Sequence, residues 1–527
     1  MELQHIDEIE RATKRGRSEL FRLGLGLIFL VGVMLYVTMR GGEQTSLVLV
    51  IAAVVGGYMA MNIGANDVAN NVGPTVGSKA LSMGGALLIA AVFEAAGALI
   101  AGGEVVGTIR GGIIDPSRIA DGDTFVWLML AALLAGALWL NIATAVGAPV
   151  STTHSIVGAV LGAGMAASGV DAVNWSVMGS IAASWVISPL MGGLIAAGFL
   201  YLIKRSITYK ADMVAAARSV VPLLVALMAW AFVAYILLKG VSKIWKTGFT
   251  GAALIGLAVA VLVYFAVKPF VAARARWISN TKQSVNSLLT VPLIFAAALL
   301  SFAHGSNDVA NAVGPLAAIV DIVSQGGAKI GTAAAIPTWV MMVGALGIAL
   351  GLALYGPKLI RTVGSEITEL DQMRAYCIAM AATLTVILAS QLGLPVSSTH
   401  IAVGGVFGVG FLREYLKRNY DRMVAEIKAH HPEDDQEALD AYLAEFAKAS
   451  VARKGEMLRE LKRKAKQQDD PLHLSKGERK GLRKVYKREL VKRSQLMRIA
   501  AAWIITVPAS ALIAAMLYFM IRGMMLA

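Results

Sequence analysis

Two polar motifs each occur twice within a strongly apolar sequence. The segment Gly64–Pro74, GANDVANNVGP, recurs almost unchanged as Gly305–Pro315, GSNDVANAVGP. The segment Pro149–His154, PVSTTH, recurs as Pro395–His400, PVSSTH. An Asn-Asp pair carries a large free-energy cost in hydrocarbon, so its presence in two copies indicates a function. Two duplicated polar motifs predict a duplicated transporter with one shared site.

The Asn-Asp motifs have the ligands that a hard monovalent cation prefers. A carboxylate inside a membrane must be paired, hydrated or bound to a cation. Oxygens of Asp, Asn and free backbone carbonyls suit Na⁺, and the Gly-Pro pair that ends each motif is expected to break the helix and free such carbonyls. We therefore predict a cation, with Na⁺ as the hypothesis, at Asp67 and Asp308, with Asn70 and Asn311 nearby. A buried polar pair that only joins helices is the alternative.

The proline-led motifs offer three consecutive hydroxyl groups at the predicted start of a helix. Proline is favoured in a first helical turn, and the unpaired N–H groups there can hold an oxyanion. Hydroxyl groups add donors without adding charge, so they can bind a dianion and release it. Thr144 and Ser390 lie at matched positions before the two prolines and are expected to line the same cavity. A Ser/Thr helix cap is the alternative. The candidate anion ligands are Ser151, Thr152, Thr153, Ser397, Ser398 and Thr399.

Single ionisable residues near the motifs are further candidates. Glu94 lies within an apolar helix, and its approximate counterpart in the second half is Ile348. An intramembrane acid is a candidate for H⁺ or Na⁺ coupling, with a helix-bridging contact as the alternative. His154 and His400 are expected to form structural hydrogen bonds in preference to ligation or proton transfer, and His304 is interpreted as structural.

The composition is that of a polytopic, all-α membrane protein. Of the 527 residues, 57% are hydrophobic and only 16% are charged, whereas soluble proteins carry about a quarter charged residues. We expect about 11–12 transmembrane helices. The apolar stretches lie near 20–38, 46–63, 82–102, 125–147, 175–203, 219–239, 249–271, 287–303, 333–355, 374–392 and 498–522. The motif segments between them fit re-entrant or discontinuous helices.

Charge and cysteine content exclude other classes of protein. The net charge of +14 comes from basic residues between apolar segments, as the positive-inside rule expects of cytoplasmic loops, so we expect membrane lipids and no nucleic acid as partners. The single cysteine, Cys377, excludes an internal disulfide and a cysteine-based metal site. No nucleophile–base arrangement accompanies the hydroxyl runs. We therefore expect neither an enzyme nor a cofactor, only transported ions, and a homodimer is one assembly that the sequence leaves open.

The repeat extends beyond the motifs and divides the chain. Basic linkers place the end of the first half and the start of the second half on the cytoplasmic side, which predicts two repeats of inverted topology with the site near the midplane. The predicted divisions are an N-terminal cytoplasmic segment with an extra helix (1–45), the first repeat (46–203), a two-helix linker (204–286), the first part of the second repeat (287–411), a charged cytoplasmic insert (412–497) and the final helix of the second repeat (498–527).

At these motifs the chain closely resembles the PiT inorganic phosphate transporter family. The resemblance rests on GANDVANNVGPTVGS and GSNDVANAVGP, each followed by PVSTTH or PVSSTH, and it spans nearly everything except the N-terminal helix and the 412–497 insert. It implies a cation-coupled phosphate symporter of the cell membrane, with inverted repeats and re-entrant hairpins. It assigns Asn66, Asp67, Asn307 and Asp308 to cation and phosphate, extends the phosphate contacts to the hydroxyl runs, and matches Glu94 to an acidic position of the family.

The resulting hypothesis is phosphate import with Na⁺ or H⁺ by alternating access. Asp67 and Asp308 would bind the cations, which complete an anion site between the two hydroxyl motifs. A proton-coupled carrier of phosphate, of a neutral metal–phosphate complex or of sulfate is the nearest alternative. A phosphate-sensing receptor with the insert as its output is an alternative of another class.

Overall fold

The computed structural model describes residues 2–41, 46–240, 245–324, 336–366, 370–429, 444, 445, 457 and 493–525. These ranges are almost entirely helical, and their only strand-like pairing is one isolated bridge between Ile114 and Val173. The helices of the described ranges are α1 Glu2–Gly41, α2 Leu47–Gly77, α3 Met83–Ala101, α4 Gly103–Gly107, α5 Gly122–Val146, α6 Thr152–Ser168, α7 Trp175–Ile203, α8 Met213–Tyr235, α9 Phe249–Ala275, α10 Lys282–Asn286, α11 Thr290–Asp308, α12 Ala310–Ser324, α13 Thr338–Glu366, α14 Gln372–Gln391, α15 Ser398–Ala429 and α16 Arg493–Met525.

Within the described ranges, 11 helical spans are long and apolar enough to cross a membrane. Each overlaps one of the apolar stretches predicted from the sequence, so the prediction of an all-α polytopic membrane protein is confirmed. The spans that contain the Asn-Asp motifs, Lys282–Ser324 and Leu47–Gly77, are 72% and 56% buried, whereas the span formed by α9 of the linker is only 17% buried. The helices that carry the Asn-Asp motifs therefore lie in the interior, with α9 at its edge.

The Gly-Pro pairs do not break their helices, so this sequence prediction is wrong. Pro74 lies inside the continuous helix α2, and Pro315 lies inside α12. The second copy is interrupted earlier instead, at Val309 between α11 and α12. A proline removes only its own N–H, which would otherwise donate to the carbonyl four residues earlier, here Asn70 or Asn311. The tightly packed flanks keep the rest of the helix intact.

The chain does break before each hydroxyl motif. Helix α5 gives way to α6 across residues 147–151, and α14 gives way to α15 across residues 392–397. Gly147 lies in the first break with a φ of +76°, and Gly393 lies in the second with a φ of +64°. This left-handed conformation favours glycine at a helix end.

The prolines of these motifs lie in the non-helical connections, so the expectation that they occupy a first helical turn is also wrong. In the first motif Ser151 caps α6 with its side-chain oxygen. The helix therefore begins at Thr152, three residues after Pro149, because Ser is a strong N-cap residue.

Close helix packing repeats between the two halves. A Cβ atom added to Gly64 of α2 would lie 2.0 Å from the carbonyl oxygen of Ile348 on α13. The matching glycine, Gly305 of α11, is equally close to the carbonyl oxygen of Glu94 on α3, at 2.1 Å. Each half therefore packs its motif helix against the other half, and small residues permit that approach. This reciprocal packing is what an inverted repeat predicts; the orientation of the halves in the membrane stays a prediction.

The insert predicted at 412–497 begins as a continuation of α15, which extends to Ala429, and α16 starts at Arg493. The remainder of the insert lies outside the described residues, except for residues 444, 445 and 457. Its cytoplasmic placement and the other predicted divisions of the chain stay predictions.

Substituting Gly351 by Ala should lower the apparent melting temperature of the protein. A Cβ atom there would lie 1.9 Å from the Met61 carbonyl oxygen, and overpacking of this kind costs about 1–3 kcal/mol or more. Gly84→Ala is the matched control, because no atom lies within 4 Å of its added Cβ and helix propensity favours Ala over Gly by about 0.5–1 kcal/mol. Thermal unfolding followed by tryptophan fluorescence measures both, and equal stability would refute the close packing of α2 on α13.

Candidate functional site

The two motif carboxylates meet at one hydroxyl group in the interior. The Thr152 hydroxyl oxygen lies 2.7 Å from Oδ2 of Asp67 and 3.1 Å from Oδ2 of Asp308. All three side chains are at most 1% exposed. A hydroxyl group has one proton to donate, so it can satisfy only one of the two carboxylates at a time. The two predicted cation ligands therefore belong to a single site, and one hydroxyl of the first proline-led motif lies between them.

The motif asparagines reach hydroxyl groups of the opposite half. The Asn70 amide donates to the Thr399 hydroxyl over 2.8 Å. The Asn311 amide donates to the hydroxyl groups of Thr153 and Thr152, over 3.2 Å in each case. Asn70 and Thr399, and likewise Asn311 and Thr153, belong to different repeats. The site is thus built from both halves at once, as the two copies of each motif predicted.

Two threonines also form hydrogen bonds from each half to the non-helical connection of the other half, residues 147–151 or 392–397. The Thr153 hydroxyl donates to the Val396 carbonyl oxygen over 2.9 Å, and the Thr399 hydroxyl lies 3.2 Å from the Val150 carbonyl oxygen. The Thr399 hydroxyl also lies 3.0 Å from Oδ1 of Asp67. A change at this carboxylate can therefore reach the connection between α5 and α6 through one hydroxyl group.

The serines of the proline-led motifs have two different roles. The hydroxyl oxygens of Ser151 and Ser397 accept from the backbone N–H groups of His154 and His400 over 3.1 and 3.2 Å. They cap α6 and α15, so for these two serines the alternative interpretation as helix caps describes the structure. The Ser398 hydroxyl is buried and has no hydrogen-bond partner among the described residues. Ser398 is therefore able to donate to a ligand without giving up a contact.

Asn66 and Asn307 support the breaks in the helices. The Asn66 amide donates to the Thr144 hydroxyl over 3.1 Å, and its carbonyl oxygen accepts from the Val150 N–H over 3.2 Å. In the other half the Asn307 amide donates to the Ser390 hydroxyl over 3.0 Å. Both ends of the Asn66 side chain are thus engaged by the protein. The geometry supports a positioning role, and direct phosphate contact by these two residues stays a prediction.

A polar trio drawn from both halves extends the carboxylate site. The Nε2 atom of His304 lies 3.2 Å from Oδ2 of Asp308 and 3.5 Å from Oδ2 of Asp67. Its Nδ1 atom lies 3.3 Å from Oε2 of Glu94, whose other oxygen accepts from the Asn71 amide over 2.7 Å. His304 thus joins the coupling candidate Glu94 to both aspartates, which its interpretation as merely structural missed.

For each member of the trio, the corresponding position in the opposite repeat is apolar. Ile63 corresponds to His304, and Ala312 corresponds to Asn71. Ile348 is the structural counterpart of Glu94, because Gly64 packs on the Ile348 carbonyl oxygen as Gly305 packs on that of Glu94. The sequence already contained a sign of this trio, because the pairs Ile63/His304 and Asn71/Ala312 are two of the few differences between the copies of the Asn-Asp motif and the residue before it. It acquires meaning only because the fold brings the three polar residues together.

The donor set fits a hard cation beside an oxyanion. Asp67, His304 and Asp308 offer ligand atoms that all lie within 4.8 Å of one another. The side-chain oxygens of Asn70 and Asn311, and Oδ1 of Asp308, are buried and have no hydrogen-bond partner in the described part of the chain. Buried oxygens of this kind suit a cation, and the threonine hydroxyl groups beside them suit an anion.

His154 and His400 lie in an aromatic cluster. Their ring centroids are 4.2 Å apart. The His154 ring lies 3.8 Å from the Trp185 ring, and the His400 ring stacks at 3.7 Å on Trp503. Neither ring nitrogen of His154 has a hydrogen-bond partner among the described residues. The structural interpretation of these histidines therefore rests on ring packing more than on the expected hydrogen bonds.

The chain is similar to known membrane transport proteins. The sequence pattern described as "Phosphate transporter family" matches residues 63–514. A protein of Helicobacter pylori J99 named "Putative phosphate permease" is 55% identical over 98% of both chains. A protein of Haemophilus influenzae with the same name is 38% identical over 69% of this chain and 87% of its own.

A solved structure shares the fold. "The sodium-dependent phosphate transporter" is 30% identical in sequence and superposes with a TM-score of 0.73, covering 90% of this chain and 99% of its own. With 11 apolar spans in the described ranges, this likeness indicates a multi-pass protein of the cell membrane, and a transporter in preference to an enzyme. The resemblance found in the two duplicated motifs is thereby confirmed. The chain belongs to the phosphate transporter family.

Proposed function

We propose that this protein imports inorganic phosphate together with a cation, by alternating access to one central site. The observation that carries the proposal is the meeting of Asp67 and Asp308, one from each half, at the Thr152 hydroxyl. The names of the relatives and of the structural neighbour support phosphate as the transported anion. The hydroxyl groups around the aspartates provide the donors that a tetrahedral oxyanion needs.

Na⁺ is the proposed coupling ion. Asp67, Asp308, Asn70 and Asn311 provide side-chain oxygens without any thiolate, which is the preference of a hard monovalent cation. The structural neighbour is named a sodium-dependent transporter, which supports the same choice. H⁺ is kept as the alternative, and Glu94 is the second acid through which coupling would act in either case.

Coupling follows from competition for the threonine protons. The hydroxyl groups of Thr152 and Thr399 lie 2.7 and 3.0 Å from the Asp67 carboxylate. A hydroxyl that donates to this carboxylate cannot donate the same proton to phosphate. A cation bound at Asp67 neutralises the carboxylate, so the threonines are released to donate to the anion. Cation binding would therefore precede tight phosphate binding.

Membrane electrostatics favour the same mechanism. Moving one negative charge into a cell against 100 mV costs about 2.3 kcal/mol, and a divalent anion costs about twice that. Two cations would cancel a divalent phosphate and make the loaded carrier nearly neutral. The crossed contacts of Thr153 and Thr399 lie between the halves, so they would have to change together when the site opens to the other side of the membrane.

Asp67→Asn and Asp308→Asn should each lower cation-driven phosphate uptake about 10- to 100-fold, because each removes a charged cation ligand. Uptake of labelled phosphate into proteoliposomes measures the effect. Asp171→Asn is the matched control, since Asp171 is an exposed loop residue. Undiminished uptake by both aspartate variants would refute the assignment of these residues to the cation.

Glu94→Gln and His304→Gln should each weaken coupling, and their effects should not add, because the two side chains are in contact at 3.3 Å. Contacting residues in one network couple by about 0.5–3 kcal/mol. The cation concentration that gives half-maximal uptake is measured for both single variants and for the double variant. Additive effects would contradict a shared role. Ile348→Leu, at the apolar counterpart of Glu94, should leave the cation dependence unchanged.

Uptake under separately imposed Na⁺ and H⁺ gradients tests the ion and the anion together. We expect the Na⁺ gradient alone to drive labelled phosphate inward, and a tenfold excess of sulfate to leave it unaffected. Sulfate has no proton to donate to buried acceptors, and a site built for such a donor rejects an analogue that lacks it by about 10⁴-fold. Transport driven only by H⁺ would select the proton alternative, preferred uptake of sulfate would select that anion, and binding without transport would indicate a sensor.

A further inference from the structure

Basic side chains from several helices converge at a second place, which we call the basic cluster. It consists of Lys204, directly after α7, Lys282, at the start of α10, Arg374, in the first turn of α14, and Arg413, within α15. Lys204, Arg374 and Arg413 are only 9%, 8% and 2% exposed. The charges that act on Lys204 are those of the other three cations and of Asp371. The basic cluster shares no residue with the carboxylate site.

Asp371 is the acid that these interactions place among the four cations. Its carboxylate lies 3.7 Å from Nζ of Lys282 and 3.5 Å from Nε of Arg374. Burial raises the pKa of Asp371, but the nearby charges of Arg374 and Lys282 outweigh that effect and hold the pKa below its ordinary value. Asp371 is therefore already engaged with two cations on its own side of the cluster.

Lys204 shows that the basic cluster is incomplete within the protein alone. Among the described residues, its ammonium group has no hydrogen-bond or ion-pair partner. A charged side chain that is only 9% exposed loses much of its hydration, and neighbouring cations add repulsion. An anion bound between the helices would remove both penalties. The arrangement therefore points to a ligand.

We propose that the basic cluster binds a phosphate-bearing anion at the membrane surface. Arg413 and Arg374 offer planar guanidinium groups and Lys204 a compact point charge, which together suit a tetrahedral phosphate group. Tyr201 and Leu202 of the adjoining helix end are 43% and 61% exposed, so the cluster lies next to an apolar, lipid-accessible surface. Basic pockets between helices on the cytoplasmic side bind anionic headgroups, and the linker after Lys204 is expected on that side. The phosphate group comes from such a lipid or from free phosphate.

The test compares Lys204→Gln with Arg205→Gln, which removes the same charge from an exposed neighbour. Purified full-length protein in Na⁺-free mixed micelles is titrated with phosphatidylglycerol, with phosphatidylcholine or with inorganic phosphate, and thermal unfolding is followed by tryptophan fluorescence. We expect Lys204→Gln to raise the half-maximal stabilising concentration of the anion about 10- to 100-fold. Arg205→Gln should leave that concentration unchanged, and phosphatidylcholine should not stabilise the protein.

A response confined to phosphatidylglycerol identifies a lipid headgroup, and a response confined to inorganic phosphate identifies the free ion. Lys204→Gln and Arg205→Gln both keep the carboxylate site, so a difference between them reports the basic cluster. Equal responses of Lys204→Gln and Arg205→Gln to both anions would overturn the proposal. Lys282→Gln is the second variant, because its half-exposed side chain tolerates replacement, and exposed Lys210→Gln is its control. Equal anion responses in that pair would also count against the site.

Without any anion, Lys204→Gln should be at least as thermally stable as the wild type. Removal of an unpaired buried charge removes its desolvation penalty. A lower melting temperature of this variant in anion-free micelles would mean that Lys204 has a structural partner, and it would contradict the proposal. Stability in the absence of ligand and affinity for the ligand therefore move in opposite directions only if the ammonium group serves to bind an anion.

Discussion

Asp67 and Asp308 bring two carboxylates into one buried site, and the remaining architecture depends on keeping them there. Like charges in a medium of low dielectric repel, so each carboxylate needs donors or cations close by. The Thr152 hydroxyl lies within hydrogen-bond distance of both, and His304 lies within 3.5 Å of both. The same need that makes the two carboxylates dependent on threonine protons makes them receptive to cations. Stability and ion binding thus share one electrostatic origin.

The interlocked halves explain how such a site is held. Gly64 and Gly305 let the motif helices approach the backbone of the opposite half. In lipid the hydrophobic effect does not drive helices together, so close packing of this kind supplies much of the free energy of helix association. The hydroxyl groups of Thr153 and Thr399 then reach the broken segments across the same boundary. Neither half forms the site by itself. A movement of one half against the other must therefore alter the contacts within the site, which is what the proposed alternating access requires.

The duplication is not perfect, and its imperfection lies at the site. His304 of the second repeat meets Glu94 and Asn71 of the first, whereas the counterpart positions, Ile63, Ile348 and Ala312, are apolar. Two repeats that began as equivalent thus surround their aspartates differently. Asp308 and Asp67 both lie within 3.5 Å of His304, and Ile63 stands at the corresponding position of the first repeat. The two aspartates therefore have non-equivalent surroundings, because the local charges and donors differ between them.

The sequence by itself determined the class of protein, the duplication and most of the residues that converge. Hydropathy and the cost of a buried Asn-Asp pair are visible locally, because lipid penalises every unsatisfied polar group. The tertiary structure alone decided that Pro74 leaves its helix intact, that Asn66 supports a chain break, and that His304 joins Glu94 to the aspartates. These outcomes depend on partners far away in the chain. Which distant groups meet follows from how the two halves interlock, and no local pattern encodes that.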